Sequence, residues 1–216
     1  MKTHNTFLLL GALSLSASAF ACSKEDPKAK ATVDEAKATP ATTGATTAKR
    51  EQLLVTQDIG KVGFVGRKVT GQHEGKFEKF TGTLDLDAAA PEKSKIALDI
   101  DLSSAKTDDP KLDKHLASPD FFDAAKFAKA TFESTEIKVG GANGATHTVT
   151  GNLDFHGAKK SLTFPVTVAV TADKVTVKGD FTLNRKDFGV TFPGMPDNLI
   201  KDDVTVAIDL TIPRKK

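Results

Sequence analysis

One cysteine, Cys22, stands in 216 residues, so no disulfide can form within the chain and its core must hold the fold. Tryptophan and tyrosine are absent, and all 14 aromatic residues are phenylalanine. Charge of one sign is lacking as well. The 30 Lys and Arg are balanced by 28 Asp and Glu and interspersed with them, which excludes the one-sided basic face of a nucleic-acid binder. No apolar run is long enough to span a bilayer stably. Nor does the chain carry an H-E-x-x-H, an H-x-H or a G-x-S-x-G. His73, His115, His147 and His156 are read as surface or turn residues hydrogen-bonded locally. The chain is therefore expected to be no enzyme, to use no cofactor and to hold no metal. No internal repeat of fixed period stands out.

The N-terminus carries a targeting pattern. Lys2 and His4 precede a short apolar core, Phe7 to Leu15, and small residues lead to Ala19-Phe20-Ala21. Residues 1–21 are read as an export signal. Cys22 follows at once, in the position of a lipidated bacterial lipoprotein cysteine. The alternative is an ordinary A-x-A cleavage site that releases a soluble periplasmic protein. Residues 22–50 are rich in Ala, Thr and Lys, with Val33 the one large aliphatic residue after Cys22. So little apolar surface does not offset ordering entropy, and the stretch is read as a disordered tether. The expected location is the periplasm or cell envelope, with the chain held to a membrane by its lipid.

Residues 51–216 are read as one all-β domain. Apolar residues recur at every second position in long runs: Ile96 to Leu102, Leu162 to Val170, Val175 to Leu183 and Val204 to Ile212. Alternation gives each strand one dry and one wet face. Strands are expected over residues 52–57, 61–66, 76–87, 94–103, 130–139, 146–155, 161–183 (a hairpin) and 203–212. Gly140 to Gly144 marks a hairpin turn, and Phe188 to Leu199 a loop rich in Pro and Gly. Asp108-Asp109-Pro110 is a helix start, and one or two short helices are expected across residues 110–125. Eight or so antiparallel strands with a helical insertion argue for an extended barrel, because closure removes edges and hides the dry faces. Asp85, Asp87, Asp99 and Asp101 alternate with apolar residues and are placed on the wet face rather than at a calcium site.

The dry faces line a common interior, either filled by side chains or open to a ligand. The candidate lining is Phe64, Phe77, Phe80, Leu98, Ile100, Phe132, Leu153, Phe155, Phe164, Val166, Phe181 and Phe188. Such a lining suits a long apolar ligand with a few polar groups at the mouth. Arg67, Lys68 and Arg185 lie beside glycine-rich corners and are candidates to meet a polar head group. The helical insertion and the loop after Phe188 are candidates to cover a mouth.

Several blocks resemble the YceI-like family: Val62-Gly63-Phe64-Val65-Gly66 with Gly71, His73 and Gly75 to Gly82; His115-Leu116-Ala117-Ser118-Pro119-Asp120-Phe121-Phe122-Asp123; Gly151 to Gly157; and Arg185-Lys186-Asp187-Phe188-Gly189. They stand in the family's order and span most of residues 52–212. The resemblance implies a periplasmic, lipocalin-like barrel that binds a polyisoprenoid, an isoprenoid quinone or a fatty-acid derivative, with no catalytic residues to carry over. True lipocalins have a Gly-x-Trp that this chain lacks. The alternative reading is a structural or stress-response envelope protein whose barrel is filled.

Overall fold

Where apolar residues alternate, strands form, and their dry faces converge on one interior. The computed structural model describes residues 28–38 and 50–214. The expected export signal, Cys22 and residues 23–27 and 39–49 of the expected tether lie outside the described residues. The strands are β1 (Ala29–Lys30), β2 (Thr32–Glu35), β3 (Glu51–Thr56), β4 (Gly60–Lys68), β5 (Gly71–Phe77), β6 (Phe80–Leu86), β7 (Lys95–Asp101) and β8 (Ala105–Thr107). One helix, α1 (Pro110–Leu116), is followed by β9 (Lys129–Val139), β10 (His147–Phe155), β11 (Ala158–Val170), β12 (Lys174–Asn184), β13 (Gly194–Met195), β14 (Asn198–Leu199) and β15 (Asp203–Pro213).

Three wall strands are made of two pieces end to end: β3 into β4, β5 into β6, and β7 into β8. Each pair of pieces meets the next: β3 with β6 and β4 with β5, then β6 with β7 and β5 with β8. The meander continues through β9, β10, β11, β12 and β15, always antiparallel. Pairing of β15 with β4, from Leu210↔Gly60 to Thr205↔Val65, joins the last strand to the first and closes the ring. Counted as continuous strands the wall has eight, as the sequence predicts.

The strand expected over residues 76–87 is broken at Glu78–Lys79. The Ser104 carbonyl accepts from the Glu78 N–H (3.1 Å) and the Ser104 hydroxyl from the Lys79 N–H (3.0 Å), which takes both donors out of the ladder. Residues 71–75, not read as a strand, extend the expected one backwards as β5. Its inward position before Phe77 is Gly75, where a Cβ would lie 2.3 Å from the Phe64 ring, so a phenylalanine of the neighbouring strand fills the space an alternating apolar residue would occupy. The helix is also shorter than expected. Asp109 caps it by accepting from the Lys111 N–H, and after Leu116 the chain enters turns before Pro119, a residue with no N–H to continue it.

The larger correction concerns residues 28–38, expected to be part of a disordered tether. β11 and β12 pair only over Thr167–Val170 and Val175–Lys178, then diverge near Pro165, which brings no N–H to a ladder. The N-terminal segment fills the seam: β1 runs parallel to β12 and β2 antiparallel to β11. Ala31 donates to the Thr182 carbonyl at 2.7 Å and is buried. Ion pairs flank the seam: Lys28–Asp180 at 2.9 Å, Lys30–Asp203 at 3.0 Å and Glu35–Lys160 at 2.6 Å. The Asn152 carboxamide then grips the Lys37 backbone at both ends, accepting from its N–H (2.9 Å) and donating to its carbonyl (2.7 Å). Composition is blind to this strap because its partners are open strand edges far away in sequence. Asn152→Leu removes two hydrogen bonds and is expected to weaken docking by about 1–2 kcal/mol. Amide exchange should then quicken at Ala31 and Val33 but not in β15; equal protection in both proteins would show that the clip holds nothing.

Candidate ligand cavity

Inward positions of the strands enclose a cavity of about 240 Å³ whose walls are almost entirely apolar. Two of the large side chains in its wall pack closely against glycine. The Phe64 ring rests on Gly75 and the Phe132 ring on Gly151, where a Cβ would come within 2.4 Å of the ring. These close approaches leave rings in the wall without filling the lumen. Deeper in, Phe132 meets Phe164 at 5.6 Å, and Phe164 stacks on Phe181 with centroids 4.3 Å apart. A second chain of rings runs Phe64, Phe77, Phe122, Phe155 and Phe188, each within 6 Å of the next.

Ten of the twelve candidate lining residues face the cavity: Phe64, Phe77, Leu98, Ile100, Phe132, Leu153, Phe155, Phe164, Val166 and Phe181. Phe80 and Phe188 do not. Phe80 is shut into the packed part of the core at 2% exposure, and Phe188 is fully buried in the 3₁₀ turn that follows β12, behind Phe155. Strand parity assigned the face correctly, but neighbouring side chains decide which inward residues meet open space.

Sequence reasoning omitted the end cover from the lining. Leu116, Phe121 and Phe122 from the helical insertion, and Val190 and Ile200 from the loop, also border the cavity. Leu116, Phe121 and Val190 form a small separate core, with Phe192 and Ile200 packed against it. His115 stands edge-on to Phe121 (4.9 Å) and to Phe192 (5.2 Å), and its Nε2 meets Asp120 at 2.8 Å. The signal was present in the helical spacing of Leu112 and Leu116 and in the Phe121-Phe122 pair.

Among the described residues Arg185 is the one charged residue in the cavity wall, 4% exposed. Its Nη1 donates to the Val190 carbonyl (2.7 Å), Nε to the Lys201 carbonyl (3.2 Å) and Nη2 to Asp202 (3.4 Å). Burial pushes its guanidinium below the ordinary arginine value and Asp202 partly offsets this, so it remains cationic at neutral pH. It pins the loop across the mouth. Arg67 and Lys68 lie outside the cavity. Arg67 turns to the outer face and donates to the Thr205 hydroxyl at 2.8 Å, because an odd position on β4 points away from the lumen. Lys68 pairs with Ile200 where the two loops meet.

The acidic positions resolve differently from one another. Asp85 pairs with Arg50 and Asp99 with Lys129 on the wet face, as expected. Asp87 is buried and accepts from the Ala89 and Ala90 N–H groups, and Asp101 caps the turn at Ser103. His147 likewise is buried on β10 rather than exposed, with Nδ1 2.8 Å from the Thr146 hydroxyl.

The insertion is fastened at Asp113. Burial pushes its carboxyl up, but the Thr107 hydroxyl and N–H and the Lys106 ammonium outweigh that and hold it below its ordinary 3.8. A carboxylate lowered on folding stabilises the fold above its unfolded value and loses that contribution as pH falls through the folded value. Exchange of the α1 amides, corrected for intrinsic rates, is therefore expected to quicken relative to β15 below pH 3.8, and Asp113→Asn to abolish that difference.

The profile of the YceI-like domain matches residues 33–212, beginning inside the strap. A UPF0312 protein of Pseudomonas fluorescens is 38% identical over 138 residues, covering 61% of this chain and 71% of the relative. Among solved structures, Burkholderia cenocepacia BcnA superposes with a TM-score of 0.62 at 29% identity, over 70% of this chain and 95% of that one. A polyisoprenoid binding domain from Saccharophagus degradans superposes with a TM-score of 0.60 at 18% identity, over 77% and 100% of the two chains, and shows the same fold. A barrel with an apolar lumen, closed at one end by a phenylalanine-rich insertion, and a domain match spanning most of the chain place this protein in the YceI-like family.

Proposed function

We propose that the chain is a non-catalytic carrier that holds a long apolar amphiphile, such as a polyisoprenoid, an isoprenoid quinone or a fatty-acid derivative, inside its barrel. The carrying observation is the lumen itself: about 240 Å³ bounded by apolar side chains, with its one buried cation occupied in holding the mouth loop. An apolar cavity of roughly 150 Å³ suffices to take up benzene, and each buried CH₂ contributes about 0.8 kcal/mol. The name of the Saccharophagus domain supports the same class of ligand. The export signal and Cys22 support a lipid-anchored protein of the cell envelope, and the strap's place in the wall leaves six residues, 23–28, between that anchor and β1.

The filled-barrel reading draws on the volume, which lies just below the roughly 300–1,000 Å³ of common ligand pockets. One experiment separates the two. The full chain carrying Cys22→Ser is exported, purified without detergent and analysed by native mass spectrometry and lipid extraction. A stoichiometric isoprenoid or acyl chain is expected. A clean apo mass, with no uptake of polyprenol, quinone or cis-parinaric acid, overturns the carrier and leaves the filled barrel. Labelling of the unmodified chain by palmitate, lost in Cys22→Ser, tests the anchor.

A further inference from the structure

Two hairpin tips beside the mouth are fused into one platform. The β4–β5 tip and the β13–β14 hairpin are joined by Val69 N–H to the Leu199 carbonyl (3.1 Å), by Lys201 N–H to the Arg67 carbonyl (2.8 Å), and by the Asn198 carboxamide accepting from the Thr70 hydroxyl (2.9 Å). The platform carries Val69, Met195 and Leu199, exposed by 68%, 64% and 49%. These are three of the five large apolar residues so exposed among the described residues, and the other two, Leu54 and Val139, lie elsewhere. Solvated β-tips have no folding reason to display such residues together, and such clusters mark interaction surfaces. Arg67 and Lys68 end β4 and Lys201 stands two residues past β14, and Asp197, in the β13–β14 turn, is the one acidic residue of 66–71 and 194–201; beyond them Lys186 is paired with Asp202. The platform leads straight into the lumen, because Ile200, next to Leu199, and Gly66, three residues before Val69, border the cavity.

We propose that this platform docks the barrel mouth on an anionic lipid bilayer, with Val69, Met195 and Leu199 entering the boundary between headgroups and acyl chains. The cations meet phosphates at the depth where an apolar tip with basic flanks comes to rest. The inference rests on the carrier reading and adds its route: a long amphiphile passes between bilayer and lumen without crossing water.

The chain's lack of tryptophan and tyrosine makes the test direct. On the full chain with Cys22→Ser, Val69→Trp supplies a single indole, and Leu54→Trp on the outer face of β3 serves as the control. With vesicles of phosphatidylglycerol and phosphatidylethanolamine, the indole at position 69 is expected to shift to the blue and to be quenched by brominated acyl chains, and that at position 54 to do neither. Met195→Asp with Leu199→Asp is expected to cut vesicle flotation and the rate of cis-parinaric acid transfer from those vesicles about tenfold, with equilibrium uptake from water unchanged. Absent quenching at position 69, equal binding to phosphatidylcholine, or a transfer rate indifferent to vesicle concentration overturns the proposal. Self-association without quenching overturns it too and assigns the platform to a second copy of the chain. Quenching without any uptake of the probe keeps the docking and removes the carrier reading.

Discussion

Phe181→Ala is expected to lower the thermal unfolding midpoint by roughly 6–20 °C. Phe181 is 2% exposed on β12, stacked on Phe164 at 4.3 Å, at the level where β1 enters the seam. Truncating a buried phenylalanine costs about 3–5 kcal/mol, and a chain of this size loses about 2–4 °C for each kcal/mol. The upper part of that range applies where the surroundings cannot collapse. Here they are hydrogen-bonded wall strands, and the lost ring opens onto a lumen that already exists. The same change should therefore enlarge the space available to a bound chain while it weakens the protein. Calorimetry, with cis-parinaric acid titrated in parallel, reads both; a midpoint shift of under about 3 °C would mean that the wall relaxes into the gap.

Val166→Trp is expected to act in the opposite sense, removing at least about tenfold of ligand affinity, or about 1.4 kcal/mol, with little loss of fold. Val166 is 2% exposed, points into the lumen from β11 and sits over Gly179, where a Cβ would come 3.2 Å from it. Overpacking a filled core costs about 1–3 kcal/mol, but an indole here has a void to enter, which puts the cost at the low end. Unchanged far-ultraviolet circular dichroism with lost uptake is the expected pair of results. Full uptake by a folded Val166→Trp protein would place the ligand outside the barrel. The two substitutions bracket the lumen, one widening it and one blocking it.

Much of this arrangement was legible in the alternation of apolar residues. The runs around Ile96, Leu162, Val175 and Val204 became β7, β11, β12 and β15, and parity turned ten of the chosen side chains toward the cavity. Three kinds of information were out of reach. Residues 71–75 hid as strand because their inward residue is Gly75 and the space belongs to Phe64, a contact between strands that neither stretch encodes alone. Phe80 and Phe188 have the parity or chemistry of lining residues, but neighbours fill the space before them. Arg67 stands beside a glycine corner yet faces outward, because its position in the register of β4 outranks its place near a turn. The strap failed for a deeper reason. Composition measures what a segment can bury for itself, and Ala29–Glu35 is held by the ladder edges of β11 and β12.

That strap also sets an order of events. Residues 29–35 are among the first of the described chain to be made, yet the edges that receive them lie at Lys160–Thr163 and Phe181–Thr182, some 130 to 150 residues later. Pairings this distant close late, because the loop between them must be gathered first. Ring closure has the same span, since β4 waits for β15. Until the final strand arrives, the seam between β11 and β12 stands open with unpaired backbone on both sides, the kind of edge that other chains can join. The earliest part of the chain is thus the last stave to be set, and the interval before it is set is when this barrel is most exposed to its own neighbours.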